Sequence, residues 1–170
     1  MTRSNTQTRG KSRTSSRRPE PETYRSLLRT MNVLLLQADR LLKQHGLSES
    51  TYDVLQILRR GAEEARQDGH RFAGLPCAAV AEQMITAVPD LTRLLDRLSQ
   101  LGLVQRRRSE EDRRVVRVRL TAKGRRLIDA LEKPVAALRI EQLGHMSRKD
   151  LGDLNRLLDK AVAPHEAHEE

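Results

Sequence analysis

Ten basic side chains crowd into residues 104–126: Arg106, Arg107, Arg108, Arg113, Arg114, Arg117, Arg119, Lys123, Arg125 and Arg126, against only Glu110, Glu111 and Asp112. A guanidinium is planar, permanently charged and donates paired hydrogen bonds to phosphate oxygens. A second cluster, Arg3, Arg9, Lys11, Arg13, Arg17 and Arg18, occupies residues 1–18 with no acid between them. The 170-residue chain has a formal net charge of +9, so these two blocks lie on an otherwise slightly acidic body. That distribution points to two surfaces for a polyanion, most simply nucleic acid. The plainer alternative is two solvated charge runs.

Other reactive side chains offer less. His165-Glu166-Ala167-His168 is one residue short of the His-Glu-x-x-His metal motif and follows Pro164. It reads as a frayed acidic end over 164–170. The single cysteine, Cys77, cannot close an internal disulfide. It falls at the start of a helix, where thiol pKa values drop, but a small buried residue is the commoner role. His45 and His70 have no partners at ligand spacing, and no glycine loop, nucleophile triad or carboxylate pair is legible. No enzyme, cofactor or metal is expected. No run of about 18 apolar residues suggests a membrane span, and no apolar stretch follows the early basic residues as in a secretory signal. The expected setting is cytoplasmic, with no membrane partner.

The elements that must position the arginines follow from periodicity. Tyr24, Leu27, Leu28, Met31, Leu34, Leu35, Ala38, Leu41 and Leu42 recur at spacings of three and four, marking one helix over 22–44 that stops at Gly46. Its wide apolar stripe suggests burial against a second subunit, although an intrachain core could also use it. Ser48 suits the N-cap of a second helix with Val54, Leu55 and Leu58 inside. Residues 61–74 read as a loop or a frayed extension of it. A short helix spans Pro76–Met84, and another opens at Pro89-Asp90 and runs to about Leu101, ended by Gly102. Leu103–Arg108 and the Val-Val-Arg-Val-Arg-Leu stretch read as paired strands around a turn. Thr121 caps a long helix that Pro134 should kink or divide. A last helix carries Leu151, Leu154, Leu157 and Leu158 and should close at Pro164. Residues 1–20, with Met1 alone apolar, form a disordered tail by composition. The order of elements is that of a helix-turn-helix followed by a wing, in which a helix fits the major groove and an arginine-rich ribbon reaches phosphates.

Residues 75–131 resemble the DNA-binding core of the MarR family of transcription regulators. The resemblance is carried by AVAEQM, LTRLLDRLSQLGLVQRR and EEDRRVVRVRLTAKG, above all by Asp-Arg-Arg followed by a strand ending Leu-Thr-x-x-Gly. The flanking helices match the family layout, so the likeness spans roughly 22–162. It implies a mainly α fold with a small β-hairpin wing: a winged helix-turn-helix over about 48–120 within a domain of 21–163. Dimerisation helices at about 22–45 and 121–163 would form a helical lobe.

The implied partners are double-stranded DNA, a second copy of the chain in a homodimer, and a small, often aromatic, effector. The implied groove-facing positions are Val88, Pro89, Asp90, Thr92, Arg93 and Arg97. Asp90 would cap the helix or accept from a cytosine amino group. Many members carry Ser, Arg or Thr where this chain has Val88 and Pro89, which leaves the operator open. In the wing, Arg113 or Arg114 would enter the minor groove, with Asp112 orienting the arginine through a charge-assisted bond. Arg106 and Arg107 would contact phosphate or simply be exposed. The effector pocket would have walls from the first helix, the second helix and the start of the long helix, with Tyr24 and Tyr52 as candidate ligand contacts or core filler. The function implied is a sequence-specific regulator, a repressor released by its effector. The alternative is a non-specific architectural DNA binder.

The basic block at 1–18 is expected to add affinity without selectivity. Deleting it should weaken binding to specific and random duplexes about equally and flatten the salt dependence. Titrations at several salt concentrations check this, and a loss confined to the specific duplex would show that the segment reads sequence.

Overall fold

The computed structural model describes residues 18–85, 89–109 and 112–166. The basic block, apart from Arg18, therefore lies outside the described residues, as do Val88, Glu110, Glu111 and the end of the chain from 167. The chain divides into two compact units, one ending at Val33 and one running from Leu34. Helix α1 (Glu20–Lys43) crosses that division. In the first unit it leaves Tyr24, Leu27, Leu28, Met31 and Val33 exposed.

The second unit continues with α2 (Glu49–Gln67), β1 (Leu75–Pro76), α3 (Cys77–Glu82), α4 (Leu91–Gln100), β2 (Val104–Arg108), β3 (Val116–Leu120), α5 (Ala122–Leu143) and α6 (Arg148–Glu166). The three strands form an antiparallel sheet in the order β1-β3-β2. One core joins the end of α1 with α2, α3, α4, β2, β3 and α5: Leu42, Val54, Leu55, Leu58, Val80, Leu95, Leu98, Val104, Val118, Ile128 and Leu131 are all buried within one cluster. Removing that much apolar surface from water is the main stabilising term.

Helix starts follow the local chemistry read from sequence. Ser48 closes a capping box: its Oγ accepts from the Thr51 backbone N–H at 3.3 Å, and its own N–H donates to Thr51 Oγ1 at 2.7 Å. Thr121 caps α5 by accepting from the Gly124 N–H at 3.0 Å. Gly46, at φ +72°, takes the left-handed turn beyond α1. Arg59 ties α2 to α5, donating to Glu63 and Glu132 at 2.8 Å each. These bonds, led by that to Glu63, push its guanidinium above its ordinary pKa despite partial burial.

Several boundaries differ from the sequence reading. Of the two readings of residues 61–74, the helix extension holds as far as Gln67, because Val54, Leu55, Ile57 and Leu58 anchor α2 and the remaining turns propagate from them. Strand β1 was not foreseen. It has two residues, too few to show alternation, and its proline is tolerated because β1 is a sheet edge. Helix α3 is correspondingly shorter, Cys77–Glu82 instead of Pro76–Met84. Pro134 does not divide α5. Leu131 and Val135 are buried on either side of it, while Pro134 and Ala130 lie on the exposed side, where water can satisfy the carbonyl that loses its partner. Pro164 lies inside α6 and does not close it. The residue four positions before it, Lys160, is exposed, so that missing bond is also solvated.

Gly124 is the tightest point. A Cβ there would overlap the Leu103 carbonyl oxygen and stand 2.9 Å from its carbon. Gly124→Ala should therefore cost about 3 kcal/mol through overpacking against backbone. Gly46→Ala, whose Cβ would meet open space, should cost only about 1 kcal/mol for its left-handed conformation. Urea unfolding of the two variants measures the difference, and equal costs would refute the assignment of Gly124 to a backbone contact.

Candidate nucleic-acid interface

Helix α4 has two faces. Leu95 and Leu98 are buried and Leu91 and Leu94 half-buried, while Thr92, Arg93, Asp96 and Arg97 are exposed. The helix starts at Leu91, after Pro89 and Asp90 form the turn into it. Asp90 is its N-cap: Oδ1 accepts from the Arg93 N–H at 3.0 Å, and Oδ2 lies 3.6 Å from Arg93 Nε. The carboxylate thus performs the capping role that the sequence reading weighed against base recognition. It also neutralises the positive end of the helix dipole. At the other end, Lys123 Nζ donates to the Leu101 carbonyl at 2.8 Å. A cation at a helix C-terminus is favourable for the same electrostatic reason.

The wing is the β2–β3 ribbon, paired from Val104↔Leu120 to Arg108↔Val116. Its tip is held by backbone bonds. Ser109 N–H donates to the Val115 carbonyl at 2.8 Å, and Val115 N–H donates to the Asp112 carbonyl at 2.9 Å. Asp112 Oδ1 accepts from the Arg114 backbone N–H at 2.9 Å. Asp112 therefore holds Arg114 through the main chain, where the family resemblance implied a bond to the guanidinium. Short polar side chains commonly lock turns this way.

The wing arginines are not equivalent. Arg117 Nη1 donates to the Gly74 carbonyl at 3.0 Å, which turns it toward β1 and away from Arg107 directly opposite. Arg119 places two donors on Gln105 Oε1, at 3.2 and 2.9 Å, across the ribbon. Arg106 is half-buried and forms an ion pair with Asp96 of α4 through Nη1, so it is not simply exposed. Arg107, Arg108, Arg113 and Arg114 are exposed, and among the described residues no carboxylate pairs with them or with Arg97. Asp96 and Gln105 are not singled out by the sequence, and Lys123 enters it only as one charge of the basic block. The one available signal was a carboxylate standing among the outward residues of α4.

A cavity of about 370 Å³ opens in the second unit, with Leu35, Tyr52, Met84 and Ile85 among its apolar walls and Glu49, Asp53, Arg60 and Arg139 among its polar ones. The α5 contribution is Arg139, late in the helix, and not the helix start. The first turns of α5 are committed to the wing and the end of α4. Tyr52 is on the wall, whereas Tyr24 is 64% exposed on α1 in the first unit. Burial pushes the Glu49 carboxyl above its ordinary pKa; Arg139 opposes this, and Asp53 and Asp39 add to it. Asp53 Oδ2 accepts from the Ile85 N–H at 3.1 Å, and Arg60 Nη2 donates to Gln83 Oε1 at 3.2 Å. Both bonds run from α2 to the segment that leaves α3 toward α4.

Comparison with known proteins agrees with this architecture. The family model described as transcriptional regulator SarA/Rot matches residues 38–131. The HTH-type transcriptional regulator YdgJ of Bacillus subtilis is 31% identical over 105 residues, which is 62% of this chain and 57% of that protein. The match thus spans a little over half the length of that relative. A MarR transcription factor from Planctomyces limnophilus, known as a crystal structure, is 35% identical with a TM-score of 0.61, covering 82% of this chain and 94% of its own. MepR of S. aureus, solved as a complex with DNA, is 20% identical with a TM-score of 0.69, covering 83% and 97%, and shows likeness of fold. With its sheet-bound wing, its Leu-Thr-x-x-Gly junction and these matches, the chain belongs to the SarA/Rot family of MarR-like winged helix-turn-helix transcriptional regulators.

Proposed function

We propose that this protein is a sequence-selective DNA-binding repressor that acts as a homodimer and is released by a small effector. The observation that carries the reading is the set of exposed guanidiniums, paired with no carboxylate among the described residues, at Arg97 on α4 and at Arg107, Arg113 and Arg114 on the wing. A major groove about 12 Å wide admits α4, with Thr92, Arg93 and Arg97 toward base edges and phosphates. The wing tip then brings Arg113 or Arg114 to the adjacent minor groove, and Arg107 to phosphate. MepR, which shares the fold, was solved with DNA bound.

Dimerisation is supported by apolar side chains left in water. Tyr24, Leu28 and Met31 on α1 and Leu157, Leu158 and Val162 on α6 are all exposed in the single chain. Patches of this kind mark interaction surfaces, and a two-fold partner covers both copies of a patch at once. Two recognition helices would then meet half-sites about 34 Å apart. The effector reading rests on the cavity. Leu35, Tyr52, Met84 and Ile85 suit an aromatic body, and Arg60 or Arg139 suits an acidic group. Such a ligand releases DNA only by preferring one arrangement of the reading helices over the other.

Selection from random duplex DNA at about physiological salt, with the bound pool sequenced, tests the function. The expected outcome is an enriched inverted repeat. An unenriched but salt-sensitive pool would replace the repressor with an architectural binder. On the enriched duplex, Arg113→Ala with Arg114→Ala should weaken binding by about tenfold or more and reduce the salt slope by about two. An unchanged slope would remove the wing tip from the interface.

A further inference from the structure

The outward face of α4 holds one residue that does not suit a polyanion. Asp96 lies one turn after Thr92 and Arg93 and beside Arg97, in the middle of the surface assigned to DNA. A carboxylate there repels phosphate. Its charge is met by Arg106, which reaches from β2 to form the ion pair. The Arg106 side chain is 29% exposed and that of Asp96 52%.

The strand beneath this pair is fixed. Arg106 is the register partner of Val118, which is fully buried in the core. The other side-chain ties near α4, Lys123 to the Leu101 carbonyl and Thr121 to the Gly102 carbonyl, lie at its C-terminal end. Leu95 and Leu98 hold the inner face of the helix in the core, and these bonds leave the middle of its outer face without a polar tie of their own. Asp96 and Arg106 form the only ion pair among the described residues that joins α4 to the wing, and they do so from the middle of the helix.

We propose that Asp96 and Arg106 are a positioning pair: together they set the angle between the recognition helix and the wing, and so the selectivity of DNA binding. Arg106 commits Nη1 to Asp96 to do this. The inference rests on the DNA-binding reading above. It assigns to Asp96 a part in selectivity that its charge alone would contradict.

Charge arithmetic gives the test its discriminating power. Asp96→Asn raises the net charge by one, and Arg106→Gln lowers it by one. If each residue acted only through its charge, the first variant would bind all DNA more tightly and the second less tightly. If the pair sets geometry, both variants lose selectivity. The measurement is the affinity for the duplex enriched from random DNA, divided by that for a scrambled duplex of the same composition. Each single variant is expected to lower this ratio about fivefold, and the exchanged double variant Asp96→Arg with Arg106→Asp to recover most of it. Opposite responses of the two single variants, equal on both duplexes, would overturn the positioning role while leaving DNA binding intact. A wild-type protein with no preference between the duplexes would overturn the selective reading and the pair's role together.

Discussion

The Leu103 carbonyl oxygen is the point at which the reading elements are joined. It accepts from the Thr121 backbone N–H at 3.0 Å and lies 3.2 Å from the Thr121 hydroxyl oxygen. The same hydroxyl donates to the Gly102 carbonyl at 2.7 Å and accepts from the Gly124 N–H. One side chain therefore ends the turn after α4, closes the base of the wing and starts α5. Gly124 is required because the first turn of α5 presses on Leu103 with no room for a Cβ. The Leu-Thr-x-x-Gly pattern follows from this junction: leucine ends the strand, threonine bridges, and glycine allows the approach.

From that junction the arrangement of charge becomes intelligible. Three wing arginines, Arg106, Arg117 and Arg119, are held by Asp96, the Gly74 carbonyl and Gln105. The others on the ribbon and its tip, Arg107, Arg108, Arg113 and Arg114, are exposed. Tied arginines orient the ribbon, and exposed ones extend its positive field. Each exposed surface pair contributes little stability by itself. The worth of such a pair lies in direction, because a guanidinium bonded at a fixed angle constrains the backbone that carries it.

The same α2 helix serves the core, the cavity and the approach to α4. Val54, Leu55 and Leu58 face inward, while Tyr52, Asp53, Gln56 and Arg60 line the cavity. Asp53 and Arg60 are also bonded to the segment at 83–85. A ligand competing for either side chain would act directly on the chain leading to α4. This gives the proposed effector response a short physical route, made of two hydrogen bonds from α2.

Local chemistry made most of the fold legible in the amino-acid sequence. The caps at Ser48, Asp90 and Thr121, the leucine spacing of α1 and α4, and the valine-rich return strand all depend on residues within a few positions of each other. Their energetics are local, so a linear reading recovers them. The arginine load of the wing and its Asp-Arg-Arg tip were legible for the same reason. The long-range pairings were not. Strand β1 exists only because β3 offers it an edge, and the polar end of α2 is helical because of the turns buried before it. Pro134 and Pro164 are accommodated because the carbonyls they leave unpaired lie on exposed faces. Above all, the sequence determined that this chain carries many arginines beside a helix-turn-helix, and only the tertiary structure decided which of them are engaged. Asp96 and Arg106 are ten positions apart on different elements, and an ion pair depends on distance in space, which spacing along the chain does not report.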